Sequence, residues 1–245
     1  MIVVCYGMAK SASTFATQIV LGLIEEHCRE NSGNIIDLRH FLPNNSNGLF
    51  VDFHESIDAI AELAIKEFGD SVDDFIVMKT HKPCEPFIKS LIENNNAVAI
   101  ATFRHPIDIA LSLCDAAKID IANGGFRFNK FRTIDDTITS IDWDIDCFKS
   151  RAIVSGVQLA YFDDLALKPL IFGERVANKL AIKWEPKVVL KMLENKKDLI
   201  WEFNKGKINR RFDEINTHEL DKLNNYWYDF AEFVRVECGV QFVER

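Results

Sequence analysis

The chain lacks any paired cysteine motif: Cys5, Cys28, Cys84, Cys114, Cys147 and Cys238 are scattered without C-x-x-C spacing. That absence argues against both a zinc site and a disulfide framework, and the thiols are expected to be reduced. There is no apolar run of about 18 residues, no basic leader and no signal-type apolar segment at the start, so neither secretion nor membrane spanning is expected. Positive charge is in deficit. With 29 Lys and Arg against 37 Asp and Glu, the net charge is −8, which argues against a general nucleic-acid binder or an anionic-membrane binder, although a local basic crevice is compatible with an acidic whole. Internal repeats, low-complexity tracts and linkers are missing too. What remains is an ordinary globular composition, 48% hydrophobic and 27% charged over 245 residues, long enough to bury roughly 70 to 75% of its unfolded surface as a single α/β domain spanning 1–245.

The periodicity alternates between strand and helix. Strands are expected near 2–6, 34–38, 74–79, 97–103 and 157–162. Helices are expected near 13–30, 56–68, 84–95, 106–121, 169–181, 185–196 and 217–236. This order implies a three-layer α/β fold, with a parallel sheet of about five strands and helices on both faces. Ile57, Ile60, Ala61, Ala64, Ile65 and Phe68 recur at helical spacing and read as core packing. The stretch from Asn123 to Trp143 breaks the alternation. With Gly124, Gly125 and the basic-aromatic FRFNKFR, it is a candidate lid or acceptor-binding insertion near 123–145, or equally a surface loop with its aromatics packed inward.

The first strand runs into GMAKSASTF, a short loop with Lys10, Ser11, Ser13 and Thr14 ahead of a helix. Backbone N–H groups of such a loop and of the first helical turn have no intrahelical partner and point at an anion, while the helix dipole favours its charge. Lys10 adds a full positive charge. The loop is not a Walker A sequence, which needs glycine directly before the lysine, and Ser11, Ser13 or Thr14 would serve equally as a plain helix cap. Two further strands end in polar residues: FIVMKTHKP carries Lys79, Thr80 and His81, and AVAIATFRHPIDIALSLCD carries Arg104, Asp108 and Ser112. Pro106 suits a first helical turn and Asp108 its positive end. All lie just past the carboxyl ends of strands, where open α/β sheets bind ligands.

Taken together, KSAST with Phe15, KTHKP and the R-x-P-x-D-x-x-x-S run from Arg104 to Ser112 resemble, in order, the signatures of PAPS-dependent sulfotransferases of the soluble cytosolic type. Two weaker matches follow, YFDDLALKP from Tyr161 to Pro169 and FNKGK from Phe203 to Lys207. The resemblance covers residues 2 to about 210 and implies a P-loop-like fold with 3′-phosphoadenosine 5′-phosphosulfate (PAPS) as donor, adenosine 3′,5′-bisphosphate as product, and no metal requirement. By the same resemblance Lys10, with Ser11, Ala12, Ser13 and Thr14, would bind the 5′-phosphosulfate. Phe15 would stack near adenine, Arg104 and Ser112 would bind the 3′-phosphate, Phe162 would line the nucleotide, and Lys205 and Gly206 would close over it. His81 would be the catalytic base, with Lys79 at the sulfuryl group.

Three residues depart from the family pattern. Ala12 stands where glycine is usual, so the loop must avoid positive φ there or tolerate strain. Asn204 replaces an arginine, and Phe162 replaces a tyrosine and forfeits its hydrogen bond. The chemistry itself calls for these residue types, since sulfuryl transfer is mainly positioning and charge stabilisation, and histidine is suited to accept a proton near neutral pH. Residue by residue, Arg104 could instead pair with Asp108 across a turn. Asp163 and Asp164 could hold magnesium in an ATP-dependent small-molecule kinase, or be structural residues capping the next turn. A catalytically silent nucleotide-binding regulatory protein is the third reading. The expected acceptor is a hydroxyl or amine on a small molecule or glycan, with no nucleic-acid or membrane partner and a homodimer as candidate assembly. Golgi-type carbohydrate sulfotransferases carry a membrane anchor, so its absence favours a cytoplasmic enzyme.

Overall fold

The structure is a computed structural model that describes residues 1–42, 49–51, 55–68, 74–194 and 207–243. Five strands form one sheet: β1 (Ile2–Gly7), β2 (Asn34–Ile36), β3 (Asp74–Thr80), β4 (Ala97–Phe103) and β5 (Val157–Tyr161). Their order is β2-β3-β1-β4-β5 and every pairing is parallel. A strand that lies between two others and under helices on both faces must be apolar throughout. β1 and β4 accordingly read IVVCYG and AVAIATF, and every residue of both is buried.

The helices divide into two layers. On one face α1 (Ser13–Asn31), α7 (Pro169–Lys179) and α8 (Pro186–Glu194) cover Val3, Cys5, Val77 and Ile100 with Ile19, Val20, Val176 and Val189. The opposite face of the sheet meets α2 (Ile57–Phe68), α3 (Pro86–Glu93), α4 (Pro106–Ala122), α5 (Ile138–Ala152), α10 (Thr217–Tyr226) and α11 (Tyr228–Glu237). Ile60, Ile88, Leu113, Phe148 and Phe230 there pack on Val4, Tyr6, Met78 and Phe103. The alternation of side chains along each strand sends neighbouring residues to different cores. Two short helices, α6 (Phe162–Leu167) and α9 (Arg211–Glu214), complete the described elements. Pro86, Pro106, Pro169 and Pro186 each stand at a first helical position, where the missing N–H costs nothing and φ is already set.

Two expectations are corrected. The insertion near 123–145 is irregular only to Ile134; one turn of 3-10 helix over Asp135–Thr137 then leads into α5. Ile141-Asp142-Trp143-Asp144-Ile145-Asp146 alternates apolar and acidic with period two, which masks the helical spacing of the buried Ile141, Ile145 and Phe148. The helix expected over 217–236 is broken at Trp227 into α10 and α11. Trp227 is buried and its Nε1 donates to Asp142 Oδ1 at 2.9 Å, while Tyr226 Oη donates to the other carboxylate oxygen at 2.7 Å. Asp142 on α5 thus fixes the chain where it turns.

Candidate active site

The loop after β1 is built without room to spare. A Cβ at Gly7 would lie 2.3 Å from Ser13 Cβ and 2.7 Å from Thr102 Oγ1, so only glycine lets β1, β4 and the start of α1 approach this closely. Lys10 and Ala12 both take left-handed conformations, φ 55° and 64°. Ala12 therefore tolerates the strain that a family-type glycine would avoid, at about 1 to 2 kcal/mol. The Ser11 hydroxyl is fully buried and bonded to Met8 O and Thr102 Oγ1, both at 2.7 Å. It braces the loop and does not point out at an anion. Ser13 is buried and Thr14 half-buried. Phe15 packs in the core between α1 and the sheet, its helical position in register with Ile19. The Lys10 ammonium lies 4.1 Å above the Phe128 ring, a cation–π contact from the 123–134 segment,.

Beyond the end of β3 stands His81. Its Nδ1 lies 2.5 Å from Gly7 O. A carbonyl can only accept, so Nδ1 carries the proton and Nε2 keeps the lone pair. Desolvation, and then the Lys79 ammonium, hold the imidazole pKa down to about 3. The ring is neutral at physiological pH. Phe50 packs 5.7 Å from His81, and Lys79 Nζ lies 5.2 Å from the same Phe50 ring. Lys82 is paired with Glu85 at 2.6 Å.

Arg104 follows β4 and is 4% exposed. Its Nη2 donates to Lys207 O at 2.7 Å and its Nη1 to Lys10 O at 3.3 Å, while Nε, buried, has no partner among the described residues. The Phe162 ring lies 3.7 Å below the guanidinium, so the residue that forfeits a tyrosine hydroxyl still supports Arg104 by cation–π stacking. Burial lowers the Arg104 pKa to about 10, which leaves it charged at neutral pH. Pairing of Arg104 with Asp108 is not found. Asp108 accepts from Arg211 Nη1 at 2.7 Å in a fully buried ion pair, and from the Arg211 N–H at 2.9 Å. Ser112 is buried on α4. Asp163 is buried and Asp164 is exposed, with Lys168 3.6 Å away, so the two carboxylates do not act as a pair. Lys205 and Gly206 lie outside the described residues.

Residues with no sequence signal join this edge of the sheet. Asp144 Oδ2 accepts from Ala9 N–H at 2.9 Å, and burial raises its pKa to about 6. Arg151, fully buried, donates through Nε to Lys82 O at 2.7 Å and through Nη2 to His81 O. Buried charged residues on a helix are a usable signal only where the helix itself is legible, and the period-two run over 141–146 masks α5.

Known structures share this architecture. No protein-family model matches the chain, and no curated protein matches it in sequence. Among solved structures, retinol dehydratase in complex with androsterone and the inactive cofactor PAP is 14% identical with a TM-score of 0.56, over 100% of this chain and 82% of that one. A second retinol dehydratase structure, with retinol and PAP, is 13% identical at TM-score 0.54, over 100% and 83%. Mouse sulfotransferase SULT7A1 complexed with PAP is 11% identical at TM-score 0.58, over 97% and 86%. At such identities the likeness defines the fold. The chain has the P-loop-like α/β fold of these sulfotransferase structures, with its candidate site at the carboxyl edge of the sheet.

Proposed function

We propose that this protein is a sulfotransferase that uses PAPS and moves its sulfuryl group to an acceptor hydroxyl or amine. The observation that carries the reading is the convergence at one sheet edge of Lys10, of His81 with Nδ1 committed to Gly7 O, and of a buried Arg104 with an orphaned Nε. The cationic Lys10 and Arg104 at this edge support the reading of an anionic nucleotide. PAPS would supply the sulfuryl group and leave as adenosine 3′,5′-bisphosphate.

Each chain residue then has a task. His81 Nε2 takes the acceptor proton, its ring oriented through Nδ1. Lys10 and Lys79 offset charge where the phosphosulfate oxygen leaves. Arg104 and Ser112 hold the 3′-phosphate, Phe162 supports Arg104, and Lys205 with Gly206 closes over the nucleotide. An anionic donor beside Lys10 and Lys79 also opposes the positive field that depresses the His81 pKa, so the base strengthens when the donor is bound. The base geometry counts against a catalytically silent protein; Ala9 in place of a glycine before Lys10, and the Ser11 hydroxyl engaged with Met8 O and Thr102 Oγ1, count against a kinase. A small-molecule or glycan acceptor, a homodimeric assembly and a cytoplasmic location belong to the same reading. Among the described residues no helix is long and apolar enough to cross a membrane.

The deciding experiment is a thermal-shift titration. Adenosine 3′,5′-bisphosphate without magnesium should raise Tm far more than AMP or ATP. Equal shifts with AMP would remove the 3′-phosphate site, and a magnesium-dependent preference for ATP would favour the kinase.

A further inference from the structure

Two polar groups on α5 lie beneath the site and are buried: Asp144 at 4% exposure and Arg151 at 0%. They are seven positions apart, about two helical turns, and so project from one face of α5. Each engages main chain rather than a surface partner. Asp144 holds the N–H of Ala9, the residue before Lys10, while Arg151 holds the carbonyls of His81 and Lys82 and lies 5.0 Å from the Tyr6 ring. Burying two such groups costs desolvation that only well-formed hydrogen bonds offset, and here those bonds go to the main chain of the two segments that carry Lys10 and His81. What the pair does geometrically is clear: one rigid helix grips the loop that carries Lys10 and the segment that carries His81. Under the proposed function these two side chains flank the transferred group.

We infer that Arg151 and Asp144 are positioning residues that set the spacing between Lys10 and the His81 base. The inference rests on the reading of His81 as base. Arg151 works through its fork, which reaches two successive carbonyls at once, something a lysine ammonium cannot reproduce with fixed geometry. The Arg151 grip aims the His81 backbone so that Nδ1–H meets Gly7 O. Asp144 fixes the strained turn in which Lys10 has φ 55°.

The test compares Arg151→Met, Arg151→Lys, Asp144→Asn and Asp144→Leu in the full chain, with two kinds of readout. Nitrogen-15 NMR of the imidazoles at neutral pH reports the His81 tautomer without any turnover. The wild type should show Nδ1–H alone, and both Arg151 variants should show mixed tautomers. If Arg151→Lys kept the pure wild-type tautomer, Arg151 would act by charge and not by aim, and the inference would be overturned. In kinetics Arg151→Met and Arg151→Lys should lower kcat about 10²-fold, the scale expected for small misplacement of a reacting group, with the affinity for adenosine 3′,5′-bisphosphate held at the wild-type value. A fall in kcat matched by an equal fall in nucleotide affinity would mean a merely structural role. Asp144→Asn retains an acceptor for Ala9 N–H and should keep nucleotide affinity, whereas Asp144→Leu should lose it; equal behaviour of the two would overturn the positioning role of Asp144. Should the wild type transfer no sulfuryl group at all, the proposed function would fail, while the tautomer readout would still decide the role of Arg151.

Discussion

Replacing Arg104 with methionine gives the sharpest probe of the nucleotide site. The guanidinium is 4% exposed, supported from below by Phe162 at 3.7 Å, and its Nε has no partner among the described residues. A phosphate held by the guanidinium would gain a charge-assisted hydrogen bond, worth about 1.5 to 3 kcal/mol. Since 1.4 kcal/mol is a factor of ten, Arg104→Met should weaken adenosine 3′,5′-bisphosphate roughly 10- to 150-fold and leave AMP nearly unchanged. The substitution also removes the donor to Lys207 O and Lys10 O, costing up to about 1 to 3 kcal/mol if the Lys10 carbonyl is left out of reach of water, whereas Lys207 is exposed. Stability therefore falls, and the informative quantity is the ratio of the two nucleotide affinities, measured by calorimetry below the melting transition. Arg104→Lys keeps the charge without the fork and should fall between. If AMP and the bisphosphate weakened by the same factor, Arg104 would only brace the loop. If neither changed, the 3′-phosphate would bind elsewhere.

Three other outcomes follow from the geometry. His81→Gln should lower turnover about 10²- to 10⁴-fold with nucleotide affinity kept. By NMR the wild-type ring should titrate near pH 3 when free and higher with the bisphosphate bound; an unchanged midpoint would refute the field argument. Because the folded pKa of His81 lies below its unfolded value, its stabilising contribution is present in full above about pH 6.5 and is lost as pH falls toward about 3. His81→Gln should flatten that part of the stability profile. Asp108→Ala leaves the buried Arg211 charge unpaired and should cost about 3 to 5 kcal/mol by denaturant unfolding; a loss below about 1 kcal/mol would show that water reaches Arg211. Ala12→Gly relieves the left-handed strain at φ 64° and should stabilise by about 0.5 to 1 kcal/mol, whereas destabilisation would mean that the Cβ packing of Ala12 outweighs the strain.

Much of the architecture is local and was legible from the residues in order. Apolar runs such as Ile2–Gly7 and Ala97–Phe103 announce buried strands, the prolines mark helix starts, and the polar residues at strand ends place Lys10, His81 and Arg104 on one edge of a parallel sheet. None of this needs a distant partner. The rest depended on contacts between residues far apart in the chain. Asp144 meets Ala9 across 135 positions, Arg151 meets His81 across 70, and Asp108 takes Arg211 across 103 in place of its neighbour Arg104. A hydrogen bond is directional and only about 3 Å long, so no local pattern can reveal which remote carbonyl will meet Arg151 or which ring nitrogen of His81 will face Gly7. The period-two run around Asp144 shows the same limit, because it reads as strand-like until the loop after β1 supplies Ala9 to its carboxylate and the fold supplies two carbonyls to Arg151. Sequence alone determined which groups reach the edge of the sheet; the tertiary packing decided their partners, their protonation and where each one points.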